Sequence, residues 1–258
     1  MGTRRTWLLL LLAAAVLVWS AAPVAALTIT VDGDPSDWGI APGEWGTSVW
    51  TPADGVQGTW PPAEEDYPDN ANNGYVGPGY GGQDFDAEAI YFTHDDEYAY
   101  FALVTGTPPE GARNETPGDI ILRFGQDPTW THAIETTGDH FLVVGALYKE
   151  IEWENGLWGT TDPAAIASGT EVWAPESPNL VYTKSSGEHY VLEVAIPLSV
   201  LPRQELGSKP FAAQWTQTCG NDGVAMQGDL PPVHMPEPTT LALFGLALAG
   251  LRARRRRR

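Results

Sequence analysis

The chain has 258 residues, of which 43% are hydrophobic and 18% are charged, and its formal net charge is −19 at pH 7. Eight of its 14 basic residues lie at the two ends, so between residues 32 and 237 six basic residues accompany all 33 acidic ones, a net charge of −27. Such an acidic surface repels nucleic acid and anionic lipid, and it suits solubility, divalent cations or uncharged partners. Cys219 is the single cysteine, which excludes an intramolecular disulfide, and a domain of about 210 residues can bury a sufficient core without one.

The first 26 residues have the three parts of a secretory signal peptide. Arg4 and Arg5 precede an apolar run over residues 7–18, and a stretch of small residues ends at Ala26, where we expect cleavage. A membrane anchor is the alternative, but about a dozen apolar residues are too few to span a bilayer. The sequence therefore predicts export of the segment that follows.

The predicted domain begins with an alternating strand over residues 27–31 and a turn over residues 32–38. Residues 39–82 hold many Gly and Pro and have no sustained periodicity, so we expect a long loop insertion there. Its tryptophans, which we expect to pin it, are Trp45, Trp50 and Trp60.

A β-hairpin is predicted next. Two runs rich in aromatic and β-branched residues, 89–93 and 98–105, are separated by four polar residues, His94 to Glu97. Both faces of the second run are apolar, which indicates a strand in the middle of a packed β structure.

The remaining elements are short strands with one short helical turn. Patterns of apolar residues predict strands at 119–124, 140–148 with its continuation to Trp153, 170–174, 180–183, 189–197 and 211–218. Asn155-Gly156 is a turn signal, and Asp162-Pro163 suggests one helical turn over residues 163–168. About nine strands with minimal helix predict an all-β fold, an antiparallel β-sandwich of jelly-roll or immunoglobulin-like type over residues 27–235.

Two distant segments resemble the same family. The Asp-Gly and Asp-Trp step within residues 32–38 is similar to the N-terminal signature of family 9 carbohydrate-binding modules and related DOMON-like sandwiches. A Glu-x-x-Ile-Pro strand followed by a Leu-x-x-Leu turn, from Glu193 to Leu201, is similar to the late strand of these modules. The resemblance implies a β-sandwich and carbohydrate binding as the family activity, without placing individual ligand residues.

The last residues have three parts in a fixed order. The motif Pro236, Glu237 and Pro238 precedes an apolar segment over residues 241–251 and a basic end with Arg252 and Arg254. This order resembles the PEP-CTERM sorting signal of Gram-negative bacteria, which implies recognition of residues 236–258 by an exosortase and a location at the cell surface or in the extracellular matrix. The apolar segment reaches only about 16 Å as a helix, against a hydrocarbon core of about 30 Å, so we expect a transient stay in the membrane. A tail anchor with its arginines inside is the alternative.

Two acidic loops are candidate metal sites. Asp84, Asp86 and Glu88 alternate along an extended segment after a glycine loop, and Asn221 and Asp222 follow the last predicted strand. Crowded carboxylates favour a cation between them, and oxygen ligands of these types suit calcium. The sequence thus predicts calcium as a cofactor, with hydrogen bonds from the carboxylates to loop amides as the alternative.

Tryptophans in or beside loops are candidate platforms for a glycan: Trp130, Trp153, Trp158 and Trp173. No catalytic motif is present, because the histidines form no HExxH pair and no G-x-S-x-G elbow occurs. We therefore expect a non-catalytic, carbohydrate-binding surface protein with no nucleic-acid partner. The alternatives are a structural or adhesive surface protein stabilised by calcium, and a glycoside hydrolase, whose carboxylate pair is recognisable only in space.

Overall fold

The computed structural model describes residues 27–43, 47–59, 75–76, 79–80, 82–156, 163–204 and 208–233. Within these residues the only helical elements are short 3-10 turns, and all other regular structure is β. The strands are β1 (Gln57–Thr59), β2 (Tyr75–Val76), β3 (Gly79–Tyr80), β4 (Ala87–His94), β5 (Tyr98–Thr105), β6 (Ile120–Phe124), β7 (His132–Ile134), β8 (Leu147–Glu154), β9 (Ala165–Trp173), β10 (Leu180–Lys184), β11 (Tyr190–Pro197), β12 (Lys209–Thr216) and β13 (Gly223–Leu230).

Eleven of these strands form two antiparallel sheets, which confirms the predicted β-sandwich. The five-stranded sheet has the order β1-β4-β5-β11-β10, and the six-stranded sheet has the order β13-β12-β6-β7-β8-β9. β2 and β3 pair only with each other. The predicted hairpin is β4 and β5, which pair from Ala87 to His94 with one register shift between Ala87 and Ala89.

The core between the sheets is built from alternate side chains of each strand. β5 contributes Ala99, Phe101 and Leu103, β11 contributes Leu192, Val194 and Ile196, and β6 contributes Ile120 and Leu122. Phe211 of β12 packs edge-on against Phe92, with ring centroids 4.6 Å apart. Full burial of each such side chain stabilises the fold by about 1.5–3 kcal/mol, so this layer holds the two sheets together.

The outer face of the five-stranded sheet is covered by the N-terminal segment. Trp38, Ile40 and Trp50 are buried there against the side chains of β4 and β5 that point away from the core, such as Tyr91 and Ala102. β5 is therefore buried on both faces, as its sequence predicts. The tryptophan expected to pin the insertion is buried at position 50, whereas Trp45 and Trp60 lie outside the described residues.

One buried carboxylate fixes this covering segment. Glu193, in the middle of β11, points to the outer face, where its Oε2 accepts hydrogen bonds from the amides of Asp32 (3.0 Å) and Gly33 (2.6 Å). Its Oε1 accepts from the indole Nε1 of Trp38 at 2.7 Å. Asp34 caps the 3-10 turn Pro35–Trp38 by accepting from the amide of Ser36. The predicted opening strand over residues 27–31 is wrong, because the described structure has no strand there and the Thr30 amide donates to Asp37 Oδ2 instead.

The outer face of the six-stranded sheet is covered by the β8-β9 hairpin, which belongs to the same sheet. The β8-β9 hairpin has register shifts after Lys149 and a positive φ of 52° at Glu150, and beyond this bend it folds back over β6 and β7. The amide of Ile166 then reaches Asp119 Oδ2 at 2.8 Å, and Gln214 of β12 donates to the carbonyl of Pro163 at 2.9 Å. Both outer faces of the sandwich are thus occupied by the chain itself.

Three local predictions are corrected by the structure. The helical turn over residues 163–168 is wrong, because Ala165–Trp173 is a strand that pairs with β8, and the proposed cap Asp162 lies outside the described residues. The strand over 140–148 is wrong in its first part, where Asp139–Phe141 is a 3-10 turn and β8 starts only at Leu147. The strands β7 and β13 were not predicted, although β13 alternates buried Val224 and Met226 with exposed neighbours.

We expect Trp38→Phe to destabilise the protein more than Trp50→Phe does. Both indoles are buried, but Trp38 Nε1 binds Glu193, whereas Trp50 Nε1 has no hydrogen-bond partner. Removing the Trp38 donor leaves a buried carboxylate oxygen unsatisfied, at an additional cost of about 1–3 kcal/mol. Chemical denaturation of the purified protein and both variants measures this difference, and equal losses would show that the bond to Glu193 contributes nothing.

Candidate functional site

The two ends of the sandwich differ in what they carry. At one end, here called the tail end, Val233 donates to the carbonyl of Gln204 and Arg203 donates to that of Pro232, so the chain leaves the domain there. At the opposite end, here called the loop end, β4 begins and β12 ends, and the amide of Ala87 binds Asp222 Oδ2 at 2.9 Å. The loop end contains most of the candidate site residues.

A buried carboxyl cluster at the loop end unites the two predicted metal loops. Asp86, Glu88 and Asp222 are all buried, and the Asp86 carboxyl lies within hydrogen-bonding reach of both others. His189 Nε2 lies 3.3 Å from Glu88 Oε1 and is also buried. Residues that are more than 130 positions apart in the sequence thus form one cluster, which joins the start of β4 to the turn before β13.

Burial dominates the electrostatics of this cluster. It raises the pKa of Asp86 to about 11, with the neighbouring charge of Glu88 as the next cause, so Asp86 keeps its proton at neutral pH. Burial also raises the pKa of Asp222 to about 6, although hydrogen bonds from the amides of Ala87 and Gly223 oppose this shift. A shared proton therefore reduces the repulsion that the sequence analysis assigned to a cation.

The other two predicted ligands are placed differently. The side chain of Asp84 is exposed, and its backbone carbonyl accepts from Thr107 Oγ1. Asn221 is half-buried in the turn beside Asp222. Within the part of the chain that the structure describes, no group of three or more His, Cys, Asp or Glu side chains has the arrangement of a metal site. Calcium binding by these residues stays a prediction.

A second pair of buried acids, Asp119 and Glu135, was not found from the sequence. Asp119 accepts from the amides of Thr136 and Ile166, both at 2.8 Å, and thereby ties β7 and the folded-back hairpin to β6. Glu135 accepts from the amide of Gly138 at 2.8 Å. Burial, reinforced by the charge of Glu135, raises the pKa of Asp119 well above its usual value. The amides bound by Asp119 lie 17 and 47 residues away, so no local pattern predicts that it is buried beside Glu135, whose own partners are the nearby amides of Thr137 and Gly138.

The three predicted glycan tryptophans that the structure describes do not share one open surface. Trp130 and Trp153 are half-buried and pack in the cluster between the six-stranded sheet and its hairpin, where the Arg123 guanidinium lies 5.2 Å from the Trp130 ring. Trp173 packs against the core between the sheets. Trp158 lies outside the described residues.

An exposed apolar loop at the loop end was also missed. Among the described residues five large apolar side chains are exposed, and Phe141, Val143 and Val144 belong to this loop, residues 139–146. The apolar run of these residues has the composition of a strand, which is why a strand is predicted there. In the structure His140 and Phe141 have positive φ angles of 55° and 63°, which end any strand pairing and turn Phe141 fully into solvent.

Comparison with known proteins identifies the end of the chain. Residues 236–258 match the PEP-CTERM protein-sorting motif, which includes Pro236, Glu237, Pro238, Arg252 and Arg254. The match confirms the sorting signal and supports an exported surface protein of Gram-negative bacteria that an exosortase processes. No curated protein and no solved structure matches the chain significantly.

The predicted signal peptide over residues 1–26 and the sorting motif lie outside the described residues. None of the helices in the described part has the length and apolar character needed to cross a membrane.

We expect the metal-free protein to become less stable as the pH rises from 5 to 8. A carboxyl with a raised pKa binds more protons in the folded state than in the unfolded state. Its stabilising contribution is therefore complete below the unfolded pKa and is lost as pH rises towards the folded pKa. For Asp86 this window runs from the ordinary value of 3.8 to about 11, and for Glu193, also raised by burial, from 4.5 to about 7. Each group lowers the unfolding free energy by up to about 1.4 kcal/mol per pH unit within its window.

Melting temperatures in a chelating buffer measure this slope. Asp86→Asn removes one titrating group and should flatten it, whereas Asp84→Asn, at an exposed position, should keep the wild-type slope. A wild-type melting temperature that increases towards pH 8 would contradict the assignment of a protonated Asp86.

Proposed function

We propose that this protein is a non-catalytic, exported surface protein whose β-sandwich binds an uncharged extracellular glycan. The sorting motif at residues 236–258 is the observation that carries the surface location. Glycan binding is supported by the sequence resemblance to family 9 carbohydrate-binding modules. The two segments of this chain that carry the resemblance are in contact in the structure. The early Asp-Gly and Asp-Trp step binds Glu193 of the late strand through three hydrogen bonds.

The charge of the exported region supports an uncharged ligand. With 33 acidic residues and six basic ones between positions 32 and 237, the domain repels polyanions such as nucleic acids and acidic polysaccharides. A non-catalytic role is supported by the bonding of the buried acids. Asp119, Glu135 and Glu193 accept hydrogen bonds from backbone amides, which is a structural use of a carboxylate.

Sorting depends on the tail, so deletion of residues 236–258 should leave the sandwich folded and change its destination. We expect the truncated protein to accumulate outside the normal surface fraction, while its circular dichroism keeps the β-dominated spectrum of the full chain. Cell fractionation with immunoblotting measures this change. Identical location and processing of both forms would show that the motif is not used.

Glycan binding is tested by applying the purified exported protein to an array of neutral and anionic oligosaccharides. We expect selective retention of neutral structures, and no retention of uronic-acid or sulfated ones, because of the negative charge of the domain. Absence of binding to every neutral structure on the array would reject the proposed activity.

A structural or adhesive surface protein stabilised by calcium is the second candidate. It is favoured by the convergence of Asp86, Glu88 and Asp222, which the sequence had placed in two separate loops. A cation there would replace the shared proton, and the carboxylates of this cluster are oxygen ligands of the type that calcium prefers.

Calcium at about a hundred times its Kd should stabilise the folded state by about 2.7 kcal/mol, which corresponds to a rise in melting temperature of roughly 5–10 °C. Thermal unfolding with calcium and with a chelator measures this rise, and the double variant Asp86→Asn, Glu88→Gln should abolish it. Equal melting temperatures for the wild type in both buffers would remove the site. A rise that survives the double substitution would place it elsewhere, with Asn221 and Asp222 next to be changed.

A further inference from the structure

The 139–146 loop is held rigidly in a conformation that exposes its apolar side chains. Asp139 Oδ2 accepts from Thr116 Oγ1 at 3.2 Å, and His140 Nε2 lies 3.2 Å from Glu154 Oε2. The amide of Val143 donates to the hydroxyl of Tyr148 at 3.0 Å. These contacts tie both halves of the loop to the sandwich, so the exposure of the loop is not a result of loose packing.

The backbone at the tip of the loop is unfavourable by itself. His140 and Phe141 are consecutive non-glycine residues, and both have φ angles in the left-handed region. Such angles persist only where surrounding contacts enforce them, and they concentrate at binding sites. Phe141 gains no burial in return, because its side chain is fully exposed. The structure thus sustains strain at a position whose side chain contacts only solvent.

A groove is lined in part by the same loop, two residues beyond Phe141. It has a volume of about 470 Å³, and its walls are Val143 and Val144 on one side and the segment from Pro175 to Leu180 on the other. This volume falls in the usual range for small-molecule sites, about 300–1,000 Å³. Ser177 and Glu176 supply a hydroxyl and a carboxylate at the mostly apolar lining. The side chain of Asn179 fixes the two walls relative to each other, because its Nδ2 donates to the carbonyl of Gly145 at 2.9 Å.

The charges near the groove limit the class of ligand that it can bind. Glu176 lines the groove, and the loop that forms its other wall carries Asp139 and is joined through His140 to Glu154. An anionic ligand would be repelled, and a second copy of this chain would bring the same acidic groups against them. A neutral sugar would suit these features, because an apolar ring face can pack on apolar side chains of the loop while hydroxyls donate to a carboxylate.

We propose that the groove between the 139–146 loop and residues 175–180 is the binding site for a neutral sugar unit of an extracellular glycan, with Phe141 as its aromatic platform. This inference rests on the proposed glycan-binding function and assigns it to a surface other than the predicted tryptophans. The 139–146 loop lies at the loop end, because it precedes β8 where β6 and β13 also begin, whereas the other wall of the groove is joined through Asn179 to Ala195 of β11.

Calorimetric titration of the full exported chain tests the site. The probes are neutral hexasaccharides of glucose, mannose and N-acetylglucosamine, with an oligouronate of the same length as the anionic probe. We expect Phe141→Ala to weaken binding of the neutral probe by at least about tenfold, the effect of truncating an aromatic anchor. Val143→Ala should weaken it less, and Val49→Ala, the same substitution at another exposed valine, should have no effect. Because Phe141 is fully exposed, its variant should keep the wild-type melting temperature.

Each other outcome has a distinct meaning. If a neutral probe binds but the Phe141 and Val143 variants behave like the Val49 variant, the groove is not the site and the proposed function stands. If no probe binds, both proposals fail. If the oligouronate binds as tightly as the neutral probes, the charge argument is overturned. Sedimentation provides a further check, because loss of an oligomer in Phe141→Ala without loss of sugar binding would make the loop an interface between copies of the chain.

Discussion

The outer layer of the five-stranded sheet depends on the buried carboxylate of Glu193. The side chain is fully buried, and two backbone amides and one indole converge on its two oxygens. Burial opposes the charged form more strongly than these donors favour it, so the pKa rises to about 7. Without this acceptor, the amides of Asp32 and Gly33 and the Trp38 indole would lose their partner beneath the covering segment, and the apolar faces of β4 and β5 would lose their cover.

This contact also explains why two short segments, some 155 residues apart, appear together in one sequence. The glycine at position 33 has a φ of 84°, and an added Cβ would meet the side chain of Thr183 at 2.3 Å. The turn therefore needs glycine for both its conformation and its close approach to β10. The tryptophan supplies the donor, and the glutamate supplies the acceptor. In this fold the two segments therefore form a structural contact that fixes the covering layer.

Strands in which the side chains alternate between two faces could be predicted from the sequence. β5 was correctly predicted as a strand with two apolar faces, β11 was found from its apolar run, and the hairpin from β4 to β5 followed from its polar loop. Positions that depend on tertiary contacts were not predictable. The 163–168 segment carries a helix-start signal, but pairing with β8 outweighs it, because local capping contributes only about 1 kcal/mol. The proximity of Asp86 to Asp222 and the exposure of Phe141 also depend on contacts between segments that are distant in the sequence, so neither could be predicted.

The coverage of both sheets restricts where this domain can meet a partner. The N-terminal segment occupies one outer face and the β8-β9 hairpin occupies the other, so a flat sheet surface is not available for a long ligand. The tail end adjoins the sorting motif, which starts three residues after Val233. Strands of eight residues separate this end from the loop end by roughly 25 Å, about three Debye lengths at physiological salt. Charges at the tail end are screened over that distance, so the exposed Phe141 and the acidic groups of the 139–146 loop are electrostatically independent of the chain that continues into the sorting motif.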